Sequence, residues 1–547
     1  MRLYHSWRVA PKKYTRYIIG LCQVSRIGLV ILLLLSGCVA PRVTQAQITV
    51  NITVDGQKDQ VLIPAGSTAQ AALIAAKVNL NPLDRSDPPF YTVLTDGANV
   101  RLIRVREEFK VEQVVIPYEH QVLRNESMPE GETRLSQPGV NGIQENTYRI
   151  VYENGVEILR SPVKSVVVKE AVPEIMMVGS QAPFTPIQIP GRLAYLQGGN
   201  AWVMEKTTGN RRPVVNSGDL DGRIFFLSPD GTWLLYTRRS TKEGTINSLW
   251  VTKVNDDSGM TIDLQAANVV HFAAFAPDSI TIAYSTVEPR SIAPGWQANN
   301  DLVTVTIGIS GFTSRPIVKL DLNSGGVYGW WGTNFAWAPD GNRMAYSRPD
   351  GVGILEFGKS DLIPLLNITP LQTGSDWAWV PGLTWGPDGK ELYTVDHIPQ
   401  QGASSPEVSP LFDLTAVPLE GGAPIRLVSQ VGMFAYPLPS PVQHLDSDED
   451  AYQVAFLQAI FPTQSETSNY RLNVMDRDGS NQRVLFPPEG APGLKPQQVA
   501  WSPLVADGKN TRMIAVIYQD NIWLVNATDG QAYQITGDGL THRVDWK

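Results

Sequence analysis

Disulfide staples are the first thing this chain lacks. Its 547 residues contain two cysteines, Cys22 and Cys38, and both precede the body of the protein. A cysteine-free body that is also exported points to a bacterial surface or envelope protein, not to a small disulfide-framed one. Net basic charge is also missing. The formal charge is −8, and the first 37 residues hold Arg2, Arg8, Lys12, Lys13, Arg16 and Arg26 with no acid, so their removal would take it to −14. An acidic body lacks the basic face that a nucleic-acid partner needs. No apolar run is long enough to span a bilayer, because Ile27–Leu35 (IGLVILLLL) covers nine residues. Catalytic signatures are absent too. There is no Gly-x-Ser-x-Gly, no His-Glu-x-x-His, no cysteine cluster and no phosphate loop. The composition therefore gives no cofactor and no resident metal.

What is abundant is turn chemistry. Glycine (46), proline (40), tryptophan (14) and tyrosine (18) accompany 43% hydrophobic residues. That balance suits a chain of several mainly β domains and argues against disorder. One unit recurs: FFLSPDGTWLLY ending at Tyr236, FAAFAPDSITIAY (Phe272–Tyr284), FAWAPDGNRMAY (Phe335–Tyr346) and LTWGPDGKELY (Leu383–Tyr393). Degraded copies follow at Phe434–Pro441 and Val499–Tyr518. Each copy reads as strand, tight turn, strand: proline presets the first corner and Asp-Gly tolerates a left-handed one. Inner strands start near Phe226, Phe272, Phe335, Leu383, Phe434, Val499 and Val544, at intervals of 46, 63, 48, 51, 65 and 45 residues. Such spacing predicts four-stranded blades with loop insertions. The terminal THRVDWK supplies an inner strand with no blade behind it, and Arg192–Val215 supplies outer strands with none before them. Joined, they make one closed blade. The expected architecture is a seven-bladed β-propeller over 191–547, or a six-bladed one if the copy at Phe434 is misread.

The repeats resemble the TolB-type propeller, also described as WD-like repeats in bacterial envelope proteins. TolB itself has six blades behind a different N-terminal domain, so its partners do not carry over. Basic residues, the short apolar run and Leu35-Ser36-Gly37-Cys38 resemble a lipoprotein signal peptide (1–37) ending in a lipobox. The resemblance implies lipidation of Cys38, a membrane anchor through that lipid and a short tether (38–47). An uncleaved N-terminal helix is the other reading.

Residues 48–105 alternate Val and Ile around Asp55-Gly56, a hairpin signal. Then follow a helix of about three turns capped at Ser67 or Thr68 and strands at Tyr91–Leu94 and Val100–Val105. This order resembles a ubiquitin-like β-grasp module. Residues 106–181 are similar to the G-five domain of bacterial surface proteins through the placement of Gly131, Gly139, Gly142, Gly155 and Gly179 with Thr147-Tyr148 and Arg160. Tyr148–Arg160 reads as a hairpin about Asn154-Gly155, and Gly139 and Gly142 mark a loop needing positive φ. The resemblance implies an extended β spacer that binds N-acetylglucosamine-containing glycans, or a passive stalk. A stiff Pro-rich linker is expected at 182–190.

For a site, aromatic residues stand out. Tyr328, Trp330 and Trp331 precede one inner strand, and Asp376, Trp377 and Trp379 precede the next. The two loops fall on one face and read as a stacking platform for a sugar or peptide, or as wedges packed between blades. His271 and His542 each precede an inner strand at equivalent positions, so they read as two mouth ligands or as structural histidines. Asp446–Asp450 alternates acids as a calcium loop does, but it lacks the turn glycine and closing glutamate, and Asp476–Asn481 is similar but is explained by turn chemistry alone. The sequence reads as a non-enzymatic, lipid-anchored cell-surface or envelope protein that binds a protein or glycan partner. The alternative is a propeller-type polysaccharide lyase or hydrolase acting on cell-wall glycan.

Overall fold

The structure is a computed structural model that describes residues 46–547, apart from 127, 181–183, 255–258, 309–310, 323–325, 359–361, 374–376, 401, 403, 445–449 and 505–511. Cys38, the basic segment, the apolar run, Asp376 and most of Asp446–Asp450 lie outside the described residues. The chain is mainly β and divides into two compact units. One comprises residues up to Val114 together with Ile143–Val168. The other comprises Val115–Gly142 together with Lys169–Lys547. No helix among the described residues is long and apolar enough to cross a membrane.

In the first unit, β1 (Gln47–Val54) and β2 (Gln57–Pro64) form a hairpin about Asp55 and Gly56, with φ of 49° and 81°. Helix α1 (Ala69–Ala75) is capped by Thr68, whose hydroxyl accepts from the Ala71 N–H. It is two turns long, shorter than expected. Strands β3 (Arg85–Asp87) and β4 (Asn99–Ile103) complete a sheet of order β2-β1-β4-β3, with β4 parallel to β1. The strand expected at Tyr91–Leu94 is absent, and only an isolated bridge joins Val93 to Thr68. Ala69, Ala72 and Leu73 of the helix close the core over Val50, Ile52 and Val100. Arg104 ties the sheet down by pairing with Asp84 at 2.8 Å and Asp55 at 3.1 Å.

The segment after Arg104 builds two three-stranded sheets from β5 (Val105–Ile116), β6 (His120–Asn125), β7 (Thr133–Gln137), β8 (Gly142–Glu153), β9 (Val156–Lys169) and β10 (Glu174–Gly179). Their orders are β5-β8-β9 and β6-β10-β7. Asn154 (φ 47°) and Gly155 (φ 84°) make the expected tight turn between β8 and β9. Gly139 and Gly142 do not adopt positive φ. A Cβ on Gly139 would lie 2.3 Å from the Tyr118 ring, and one on Gly142 would lie 2.6 Å from the Ala171 nitrogen. Gly179 is tighter still, with Pro129 O at 1.8 Å from such a Cβ. Three of the five glycines therefore exist for close approach and two, Gly131 and Gly155, for a left-handed turn.

The sheet β6-β10-β7 is built into the second unit. Met128 and Met177 lie in one core with Leu193, Tyr195, Trp202 and Trp546. Glu126 and Arg211 form an ion pair with both side chains over nine-tenths buried, and Glu126 Oε1 accepts the Gly537 N–H at 2.9 Å. The span read as a linker is partly strand: β11 (Gln188–Gln197) pairs with β12 (Asn200–Val215), the Thr208 N–H donates to Ile187 O, and the Ile187 N–H donates to the Thr208 hydroxyl.

Six antiparallel meanders follow, numbered here as repeat sheets 1 to 6. Sheet 1 is β13 (Leu220–Leu227), β14 (Trp233–Arg239), β15 (Asn247–Lys253) and β16 (Thr261–Ala267). Sheet 2 is β17 (Ala273–Phe275), β18 (Thr281–Tyr284), β21 (Leu302–Thr306) and β22 (Ile317–Leu320). A small hairpin, β19 (Val287–Pro289) and β20 (Trp296–Ala298), is inserted in it. Sheet 3 is β23 (Asn334–Trp337), β24 (Arg343–Arg348), β25 (Gly351–Glu356) and β26 (Leu362–Asn367). Sheet 4 is β27 (Leu383–Trp385), β28 (Glu391–Ile398), β29 (Leu411–Pro418) and β30 (Ile425–Val428). Sheet 5 is β31 (Leu438–Pro439), β34 (Gln453–Ala459), β35 (Tyr470–Asp476) and β36 (Arg483–Phe486), with the inserted pair β32 (Gln443–His444) and β33 (Asp450–Ala451). Sheet 6 is β37 (Ala500–Trp501), β38 (Met513–Tyr518), β39 (Asn521–Asn526) and β40 (Ala532–Gln534). The final strand, β41 (Thr541–Trp546), pairs with β11 in a sheet of order β12-β11-β41. The degraded copy at Phe434 thus supplies a sheet of its own, and the N- and C-terminal strands of the repeat region share one.

The repeated turn behaves as its residues demand. Gly231, Gly341 and Gly389 take φ of 67°, 70° and 71°, and the N–H of each donates to the residue three before it. The aspartate of each turn accepts the N–H two residues on: Asp230 from Thr232, Asp340 from Asn342 and Asp388 from Lys390. In sheet 2, Ser279 stands in the glycine position with φ 64°.

Candidate functional site

In repeat sheets 1 to 4 the first strand runs from an entry loop towards the Pro-Asp turn, so these entry loops lie at the opposite end from the turns. The loop entering sheet 3 holds a short 3₁₀ segment, Gly326–Trp331, in which no residue is buried and Val327 is 91% exposed. Gly326 (φ 68°) opens it and Gly332 (φ 99°) closes it. Between these corners Tyr328, Trp330 and Trp331 are partly buried, and none of the three is fully covered.

The inserted hairpin of sheet 2 stands beside them. The Arg290 guanidinium lies 6.0 Å from the Trp330 ring and is itself held by Glu288 at 2.6 Å and Gln297 at 2.8 Å. Trp296, on the same hairpin, stacks on His271 with centroids 5.9 Å apart and planes 15° apart. The 3₁₀ segment is anchored from below. Asn300 donates to Gly329 O and accepts from the Thr333 hydroxyl at 2.8 Å, and Arg348 Nε reaches that hydroxyl at 3.3 Å. Asn300 takes a left-handed φ of 53° to do so.

His271 has both ring nitrogens shielded and without a hydrogen-bond partner. Gly332 passes so close that a Cβ there would lie 3.1 Å from the ring. Burial pushes its pKa down to about 4, against a smaller opposing pull from Asp301. The imidazole is therefore neutral near pH 7. His542 is exposed on β41. Among the described residues no group of three or more His, Cys, Asp or Glu side chains is placed to hold a metal ion.

The second half of the expected platform falls differently. Trp379 is 2% exposed, its indole donates to Met433 O at 3.0 Å, and it packs edge-on against Phe412 at 4.9 Å. It is a core residue of sheet 4, not a surface ring. Trp377 is partly buried against the same core, and its carbonyl accepts from Thr373 Oγ1 at 2.6 Å. His397 is also interior, with ring nitrogens 2.7 Å from Thr369 O and from Ser409 O. Asp476–Asn481 is accounted for by its turn, where Asp478 accepts from Ser480 and Asn481 donates to Asp476 at 2.6 Å. The aromatic surface is thus one loop plus a hairpin, Tyr328, Trp330 and Trp331 with Trp296 and Arg290. The sequence signal for the last two was the 63-residue interval before Phe335, since the surplus length holds the hairpin.

Residues 107–181 match the family model of the G5 domain. The chain is 26% identical over 181 residues to resuscitation-promoting factor RpfB of Mycolicibacterium smegmatis, an alignment covering 32% of this chain and 49% of that protein. The chain thus spans about half the length of that curated relative. Among solved structures it is similar to the IgA1 protease G5 domain, with 21% identity, TM-score 0.12, and coverage of 15% of this chain and 94% of that one. It is also similar to a putative TolB from Agrobacterium tumefaciens, with 16% identity, TM-score 0.32, and coverage of 56% and 90%.

Proposed function

We propose that this protein is an exported, lipid-anchored envelope protein. In this reading residues 48–105 form a ubiquitin-like β-grasp module, and the G5 segment engages cell-wall glycan. The repeat sheets form a seven-bladed propeller that binds a protein or glycan partner through the face carrying the entry loops. Seven sheets, with β41 completing the first, support the blade count. The G5 match supports an extracytoplasmic setting.

The observation that carries the binding role is the aromatic turn Gly326–Trp331, in which no residue is buried, backed by Arg290 and held by Asn300. Indoles that are partly covered and fixed by a hydrogen-bonded base, with one side still open, suit a contact surface, because little side-chain freedom is lost on binding. The test is a glycan array and an envelope-extract pull-down with the full chain and with Trp330→Ala/Trp331→Ala. Captured ligands should be lost in the double variant, and retention of all of them would overturn the reading. Anchoring is tested by fractionation: Cys38→Ala should move to the soluble fraction, and a variant that stays with the membrane contradicts lipidation at Cys38.

A further inference from the structure

At the turn end of the repeat sheets one contact is used three times. Trp337, Trp385 and Trp501 each stand two residues before the turn proline. Each indole donates to a first-strand carbonyl of the preceding sheet: Ala274 at 3.4 Å, Ala336 at 2.9 Å and Leu438 at 2.8 Å. In the groove between sheets 3 and 4, Trp385 is covered. Arg343 lies 5.2 Å from its ring and pairs with Asp340 at 3.4 Å. Arg343 is the third residue after its turn aspartate, and in sheet 2 that position is Thr281. The Thr281 hydroxyl turns back onto Asp278 at 2.7 Å, so no long side chain extends from that position over Trp337.

A cavity of about 440 Å³ opens at that point, lined by Trp337, Phe357, Thr281, Thr306, Lys319 and Asp340, among others. Its size falls within the range of small-ligand sites, about 300–1,000 Å³. Trp337 and Phe357 meet edge to face, 5.4 Å apart, and Lys319 Nζ stands 5.0 Å from the Phe357 ring. Asp278, Asp340 and Lys319 are the charged residues lining the groove. Asp278 is held by Thr281 and Asp340 by Asn342 and Arg343, so neither carboxylate is a free charge for a cation, and one ammonium beside two carboxylates does not favour an anion. Threonine hydroxyls, carboxylate lone pairs, an indole and an ammonium beside a phenyl ring match a ligand with an apolar C–H face and a rim of hydroxyls.

We propose that the groove between repeat sheets 2 and 3 is a subsite for a neutral pyranose unit of a glycan. It lies at the opposite end of the strands from Trp330 and stands independently of the binding role given to that face. Saturation-transfer NMR on the full chain with cellotetraose, maltotetraose and chitotetraose tests it. At least one probe should receive saturation. Thr281→Arg refills the groove as Arg343 fills the next one, and should reduce the transfer at least tenfold while leaving Tm unchanged or higher. Trp337→Phe keeps an aromatic ring there and should weaken the transfer several-fold. Trp330→Ala should leave it intact. No transfer to any of the three probes overturns the proposal, and so does transfer to Thr281→Arg or Trp337→Phe equal to that of the unaltered chain.

Discussion

Individual side chains in this molecule are explained more often by a neighbour than by their own chemistry. Ser279 occupies a left-handed corner that glycine fills in three sister turns. Its hydroxyl accepts the Asp230 N–H at 3.1 Å, a bond glycine could not make. Glu126 and Arg211 are buried together, so losing one leaves the other charge unpaired. Arg211→Ala should therefore cost about 3–5 kcal/mol by urea denaturation, and Glu126→Leu/Arg211→Met should cost much less. His271 adds a pH term. Its folded pKa, about 4, lies below the ordinary 6.5, so its stabilising contribution is complete above pH 6.5 and is lost as pH falls from 6.5 towards 4. Asp396 works in the other direction: burial and the facing Asp413 raise it to about 6. The informative quantity is thus the difference between chains. The Tm of His271→Phe should fall less than that of the unaltered protein between pH 7 and pH 4.5, and parallel curves would refute the assignment.

At the scale of elements, the sequence was most legible where a turn dictates geometry. Pro-Asp-Gly, Asp55-Gly56 and Asn154-Gly155 all produced the expected hairpins, because φ > 0 leaves few residue choices. Legibility failed where the reason is contact and not torsion. Gly139 and Gly142 looked like turn glycines, yet Tyr118 and Ala171 are what exclude a side chain. Trp379 read as a surface ring or as a wedge between blades, and nothing near it in sequence chose between them, because its neighbours Met433 and Phe412 come from a separate part of the chain. The indole contacts between sheets were visible only as a tryptophan recurring before the turn. Replacing Trp385 or Trp501 by phenylalanine should lower stability by about 0.5–1.5 kcal/mol each, measured by chemical denaturation, the worth of one hydrogen bond. At Trp337, where the bond is 3.4 Å, the loss should be smaller.

For the molecule as a whole, the repeat period announced the series of meanders, and the unmatched half-sheets at either end of the repeat region announced the pairing of β41 with β11. The division of the G5 segment between two compact units was not legible, since no composition change marks Val115 or Lys169. Removing residues 541–547 exposes the edge of β11 and strips Trp546 from a core it shares with Leu193 and Tyr195. Size-exclusion chromatography should find that truncated chain aggregated, and a monomer with an unchanged melting transition would count against the role of β41. The same pairing bears on synthesis. While the chain emerges from the ribosome, β11 waits with an open edge until residues 541–546 have followed it. The second unit therefore cannot lock early, and the sheet β12-β11-β41 closes only when the last strand of the repeat region is made.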